Sequence, residues 1–398
     1  MEPNIRVKGF DGDWEERTLG EIYTERNERG NDSLQILTVS IHDGVSDGEL
    51  DEEGLGKVVR RSEDKSTYKH VYEGDLVFNM MRAWQGAIGT VKNEGMVSPA
   101  YITAVPNKEV YPPFMDYALR RKESIAQINN LSYGVTDFRK RLYWDSFVKV
   151  KCSLPSVEEQ RTIAGIFEQV DLLLEKHIQV YEQLRELKKY MLEKMFPADG
   201  EKVPEIRFAA FSGDWEERRL GECFNERTER SGDGQGELLS VTISEGVKRQ
   251  AETEIRNAAS ADLSNYKKVY KGDLAYNSMR MWQGAEGASD YEGIVSPAYT
   301  VVVPREKMQS TFFERLFKKA SMLKTFERFS QGLTSDTWNL KYPAFSSIPV
   351  CVPAIGEQRK ISEYFSQLDS LITHHQRRHD TLLEFKAYLL QNMFPKEG

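Results

Sequence analysis

LPSVEEQRTIAGIFEQVD at Leu154–Asp171 returns as VPAIGEQRKISEYFSQLD at Val352–Asp369. Each copy opens a stretch in which helix breakers all but vanish. From Val157 to Met195 the only glycine is Gly165 and proline is absent; from Ile355 to Met393 the only glycine is Gly356. Apolar residues recur there in heptads. With Ile163, Val170, His177, Leu184 and Met191 at a, the d positions are Ile166, Leu173, Val180 and Leu187. The second stretch puts Ile361, Leu368, His375, Leu382 and Leu389 at a, and Tyr364, Leu371, Arg378 and Phe385 at d. A sustained apolar seam on a glycine-poor helix predicts a coiled coil. Each rod is about 58 Å long at the helical rise per residue.

The duplication extends beyond these helices. GDWEER stands at Gly12–Arg17 and Gly213–Arg218, and YEGDLVFNMMRAWQGA at Tyr72–Ala87 returns as YKGDLAYNSMRMWQGA at Tyr270–Ala285. Between Lys69 and Pro106, 23 of 38 positions match Lys267–Pro304, and both halves close on MFP, Met195–Pro197 and Met393–Pro395. A period near 200 residues means two copies of a whole domain-plus-helix unit, whereas solenoids repeat every 20 to 50. Short alternating apolar runs such as DLVFNM and YITAVP, punctuated by EGD, QGA and NEG, predict strands and turns, with a helix over Pro113–Ile128.

Topology follows from the link. Only about 14 residues, PADGEKVPEIRFAA, separate the first helix from the second domain. Parallel helices would require the chain to return a whole rod length, so the pairing is expected to be antiparallel. His177 and His375 lie mid-seam, and a polar residue at such a position fixes register. In an antiparallel pair they are expected to lie near each other.

Composition bounds the function. Hydrophobic residues make up 39% and charged residues 29% of 398, with net charge −8. That is ordinary globular composition, without an apolar run of membrane-spanning length. Three cysteines form no CxxC pair, which fits thiols in a reducing cytoplasm. GxxxxGK[ST], HExxH and GxSxG are all missing. His375 and His379 stand i, i+4, but no zinc-type ligand set surrounds them. YPPF at Tyr111–Phe114 lacks the polar first residue of an amino-methyltransferase motif. No active site is visible, and two like domains held apart suit the reading of an elongated ligand such as DNA.

Two segments are candidate reading surfaces. In N-x-M-R-x-W-Q-G-A, Arg82 and Arg280 suit a guanine edge and Gln85 and Gln283 an adenine, with Asn79 and Asn277 facing a base or a phosphate. Trp84 and Trp282 either stack on a base or belong to the core; the arginines equally suit a structural carboxylate. The second segment is the loop before the helix, SYGVTDFRKRL at Ser132–Leu142 and SQGLTSDTWNL at Ser330–Leu340. It contributes Thr136, Arg139, Lys140 and Arg141 in the first copy and Thr334, Ser335 and Thr337 in the second. The copies also diverge over much of Asp43–Thr67 and Glu245–Asn265.

With its domain, LPxxEQRxI helix, domain and PxxxEQRxI helix, the chain resembles the specificity subunit of type I restriction–modification enzymes over essentially its whole length. The resemblance implies an α+β fold: two pseudo-twofold-related α/β target-recognition domains separated by two long helices in an antiparallel coiled coil. The segments are then recognition domain one (1–154), spacer helix one (155–197), recognition domain two (198–352) and spacer helix two (353–398). It implies a non-catalytic DNA-binding chain whose partners are double-stranded DNA, two methyltransferase subunits and restriction/translocase subunits, in the cytoplasm and away from membranes. No cofactor is expected in this chain; S-adenosylmethionine, ATP and Mg belong to the partners. Glu159, Gln160 and Arg161, with Glu357, Gln358 and Arg359, are expected to dock the methyltransferase subunits. Because the two domains are alike, related half-sites are expected. The alternatives are a coiled-coil adaptor with two protein-binding domains and a stand-alone nuclease or methyltransferase.

Overall fold

The computed structural model describes residues 2–31, 33–41, 44–47, 67–135, 139–253 and 262–395. Much of the two divergent loops, and Thr136, lie outside them. The chain forms two compact units: Met1–His177 with Arg377–Gly398, and Ile178–Gln376. These cut through both long helices, Val157–Lys194 and Ile355–Asn392. Each unit therefore holds one domain and a segment of either helix.

In the first unit Glu15–Thr18 pairs antiparallel with Lys151–Leu154, closing the domain at the start of its helix. The central sheet is antiparallel, in the order Tyr23–Arg26, Tyr101–Pro106, Leu76–Asn79, Ile88–Thr90. Because successive strand side chains point to opposite faces, Leu76 and Phe78 enter one core and Val77 a second. The second unit repeats this with Phe224–Glu226, Tyr299–Pro304, Leu274–Asn277 and Glu286–Ala288. There Leu274 and Tyr276 face one core and Ala275 the other.

The single helix expected over Pro113–Ile128 is two, Pro112–Leu119 and Lys122–Leu131. They break at Arg121, whose backbone is extended and whose guanidinium turns inward. It donates to the Pro395 carbonyl (3.1 Å) and stands 4.8 Å over the Phe394 ring. Lys319 likewise donates to the Pro197 carbonyl in the second unit. These bonds seat the MFP motifs. Phe394 packs against Trp14 and Phe114 (5.9 and 5.3 Å between ring centres), and Phe196 against Trp215 and Phe312 (6.0 and 5.6 Å). The Trp of each GDWEER is thus the floor of a socket for a helix end.

Within each unit the helix segments run antiparallel. Phe167 meets Phe394 and Asp171 pairs with Lys386 in the first; Phe196 meets Phe365 and Lys188 pairs with Asp369 (2.5 Å) in the second. The phase of the seam differs from the expected one. Leu173 and Leu187 are 44% and 41% exposed, and Leu371, Arg378 and Phe385 are exposed too. The inward row instead adds Phe167, Leu174, Tyr181, Lys188 and Met195 to the expected a residues, and Phe365, Ile372, His379, Lys386 and Met393 in the second helix. Apolar residues fill both phases, as in Leu172-Leu173-Leu174, so spacing alone admits either.

Counting six residues from each ion pair puts His177 level with Asp380, and His375 level with Glu182. Among the described residues no helix is long and apolar enough to cross a membrane, and no group of three or more His, Cys, Asp or Glu is placed to hold a metal ion.

Candidate nucleic-acid interface

The first candidate segment is a tight turn linking two strands of the central sheet. Asn79 Oδ1 accepts the Met81 N–H (3.0 Å), the Arg82 N–H donates to the Asn79 carbonyl (3.0 Å), and a single 3-10 turn follows over Ala83–Gln85. It ends at Gly86, whose φ of 106° is left-handed, a conformation that glycine adopts without a Cβ penalty. Ala83 is buried beneath the turn, which leaves Arg82 and Gln85 exposed.

The second copy repeats each step. Asn277 Oδ1 accepts the Met279 N–H (3.1 Å), Gly284 has φ 85°, and Arg280 Nη1 donates to Gln283 Oε1 (3.2 Å). Trp84 Nε1 donates to the Met81 carbonyl (2.9 Å) and Trp282 Nε1 to the Met279 carbonyl (3.2 Å). Both indoles lean on their domain core, so the tryptophans hold the turn from below. The Asn side chains are likewise spent on the turn itself.

The second segment is a loop closed on its own backbone. Tyr133 and Arg141 exchange two N–H···O bonds (3.0 Å each), and Gln331 and Asn339 do the same (3.1 and 2.8 Å). Gly134 and Gly332 sit where the strands of the loop nearly touch. A Cβ there would lie 2.3 Å from the Arg139 carbonyl oxygen or 2.5 Å from that of Thr337, distances that no side chain tolerates.

The structure brings the two segments together in both units. Leu142 N–H donates to the Met80 carbonyl (2.9 Å) and Leu340 N–H to the Ser278 carbonyl (2.8 Å). Lys140 Nζ, bonded to Asn129 Oδ1, stands 5.6 Å over the Trp84 ring, and Trp338 meets Trp282 edge-on at 5.2 Å. The first composite surface is basic, carrying Arg82, Arg139, Lys140 and Arg141. In the second, Arg280, Thr334, Ser335 and Thr337 are all exposed, and Thr337 Oγ1 donates to the Thr334 carbonyl.

The EQR residues stand elsewhere, and most are not surface. Glu159 and Gln160 are buried at 1% and 0%, as are Glu357 and Gln358. Arg6 grips Glu159 with two bonds (2.9 and 2.8 Å), and Arg207 grips Glu357 (2.7 and 2.8 Å), the bidentate geometry that favours arginine over lysine. The same arginines also reach the carbonyls of Gly12 and Gly213 in the GDWEER motifs. Gln160 accepts from Tyr111 N–H (2.8 Å) and donates to the Glu109 and Pro155 carbonyls; Gln358 does the same with Gln309, Lys307 and Pro353. Four of the six expected docking residues are therefore internal clasps, because a buried carboxylate or amide must find its partners inside the chain. Only Arg161, 4.8 Å over the Tyr111 ring, and Arg359 are exposed.

Comparison with solved structures gives the architecture a precedent. The crystal structure of a type I restriction–modification system S subunit from M. genitalium matches with a TM-score of 0.61 at 16% identity, covering 100% of both chains. The chain has the fold of a type I S subunit. Weaker matches, each with a TM-score of 0.49, are the HsdS subunit of Thermoanaerobacter tengcongensis (16% identity, 96% of both chains) and a structure of a type I R-M system (15% identity, 98% of this chain and 99% of that one). No protein-family model and no curated protein matches the sequence. Within this S-subunit fold, the composite surfaces belong to the two domains and the clasps to the starts of the two helices.

Proposed function

We propose that this chain is the specificity subunit of a type I restriction–modification enzyme, a DNA reader without chemistry of its own. One observation carries the reading: in a chain with the S-subunit fold, each unit joins an Arg/Gln turn and a polar loop into one exposed surface. Each surface reads one half of a bipartite double-stranded target, and the half-sites are related because the turns are nearly identical. Arg82 and Arg280 take guanine edges and Gln85 and Gln283 adenines; Arg139 and its neighbours hold phosphates.

Two methyltransferase subunits, which supply S-adenosylmethionine and methylate adenine, dock along the long helices. Exposed apolar residues there, Leu172, Leu173, Leu383, Phe385 and Tyr388 in the first unit and Ile178, Leu187, Tyr190 and Leu371 in the second, are the surface they cover. Restriction/translocase subunits bring ATP and Mg, and the assembly works in the cytoplasm. His177 and His375 serve as polar register residues of the seam.

The test is selection of random duplex DNA by the full chain, alone and with modification subunits encoded beside it. Two related blocks at a fixed gap are expected, with log affinity falling linearly against log salt. A single contiguous site, salt-independent binding, or methyl transfer by the chain alone would refute the reading.

A further inference from the structure

Each of these polar loops carries one fully exposed aliphatic side chain. Val135 is 90% exposed and Leu333, at the equivalent position, 101%. Isolated exposed apolar residues are common, but three observations set this pair apart. The residue is apolar in both copies although, after one shared threonine, the loop diverges from DFRK to SDTW. The preceding glycine is sterically required in both, at positions where a Cβ would strike the opposite carbonyl. Paired backbone bonds at Tyr133 and Gln331 pin the loop two residues before it, so the backbone that carries the side chain is held in place.

What faces this tip is argued from its surroundings. The loop base is hydrogen-bonded to the turn that carries Arg82 or Arg280, and Met81 and Met279, 41% and 45% exposed, stand in the same turns. Arg139 and Arg141 flank the first tip. An exposed aliphatic side chain on a loop bonded to an arginine-bearing turn suits a polyanion with an apolar interior, which is the make-up of a base-paired duplex.

Resting on the DNA-reading function proposed above, we infer that Val135 and Leu333 are apolar recognition tips, each seated against the apolar surface of a base within its half-site. That surface is either a thymine methyl in the groove or the face of a base exposed by partial unstacking of one step. The tip adds sequence selectivity without a hydrogen bond, while the neighbouring arginines provide position.

The test uses the full-length chain and duplexes that the wild type selects from a random library. Val135→Ser and Leu333→Ser should each weaken binding to the selected duplex by about tenfold, the value of burying one aliphatic side chain. Binding to a scrambled duplex should be unchanged, and Leu333→Val, which borrows the other copy's residue, should restore binding. Both side chains are solvated, so thermal midpoints should stay at the wild-type value; Leu333→Thr repeats the test should the serine variant fold poorly. Deoxyuridine in place of one thymine reproducing the loss identifies a methyl contact, and increased fluorescence of 2-aminopurine at one step identifies unstacking; either supports the inference. Serine variants that bind the selected duplex like wild type overturn it and leave the DNA-reading function standing. A wild-type chain that selects no sequence overturns both.

Discussion

The two units repeat their clasps to within tenths of an ångström and differ where nothing in the frame depends on it. Arg6 on Glu159 and Arg207 on Glu357 are equivalent pairs, as are Arg26 on Asp75 and Arg227 on Asp273. The latter pairs buttress the Y-x-G-D-L turn, where the Asp also accepts the Tyr72 or Tyr270 N–H.

Behind the reading turn the copies part. The first has Ile88, fully buried, beside Asp116, whose carboxyl burial pushes up to about 6 although it accepts the Thr90 N–H. The second has Glu286 in place of Ile88, next to Glu314, whose carboxyl is also raised by burial. Lys318 Nζ lies 3.2 Å from Glu286 Oε1, which favours the charged carboxylate, but it also donates to the carbonyls of Gly284 and Ile243. Burial outweighs the lysine, and the Glu286 carboxyl is pushed up to about 8, with Glu314 adding to the effect. The difference teaches that the frame tolerates a costly group where its geometry is already fixed by backbone bonds.

The sockets should prove the most alike. Phe394→Ala and Phe196→Ala each empty a fully packed site and should each cost about 3 to 5 kcal/mol, measured by denaturant unfolding with both units monitored. Losses that differ by more than about half would break the equivalence.

The second expectation separates the copies by pH. A group whose folded pKa lies above its unfolded value binds its proton more tightly when folded, so its stabilising contribution is complete below about 4.5 and is lost as pH rises towards 8. Glu286→Ile, which installs the first copy's residue, should therefore stabilise the chain by about 4 kcal/mol at pH 8. Most of that gain should vanish by pH 4; a gain independent of pH would mean that the cost is packing rather than charge.

Smaller effects test the reading surfaces. Arg82→Ala and Arg280→Ala should each lower discrimination at one base by about 1 to 3 kcal/mol, each in a different half-site of the selected sequence. Loss at the same block from both variants would contradict one reader per unit. Replacing His177 and His375 together with leucine should add about 1 kcal/mol of stability while allowing register slips, detectable by cysteine cross-linking along the seam. Unchanged register specificity would remove their assigned role. The smallest effect is Arg139→Ala, which should lower the salt slope of binding by about 1 at the first half-site, whereas the equivalent loop of the second copy has no such cation to lose.

Long, breaker-free helices and a near-identical repeat are local signals, and both were legible in the sequence. The seam phase was not, because Ile166-Phe167 and Leu172-Leu173-Leu174 supply apolar residues to two adjacent rows. The EQR motif reads as surface in the sequence because the partners of its Glu, Arg6 and Arg207, lie some 150 residues away, and a charged triplet at a helix start looks solvated until they are placed. The candidate reading segments were identified separately; their junction rests on backbone bonds such as Leu142 to Met80, which residue type does not encode. Val135 and Leu333 are silent in the sequence because a lone Val or Leu among polar neighbours carries meaning only once its exposure is known.

The seating of Phe394 also has a consequence on the ribosome. The socket formed by Trp14 and Phe114 is made early in synthesis, yet its plug emerges some 280 residues after Phe114. At ordinary elongation rates of about 5 to 20 residues per second, the first domain waits tens of seconds with an aromatic cavity open. The second domain is made after Phe196 and finds its plug already waiting. Chains truncated before Met393 and released should thus carry one finished unit and one open socket.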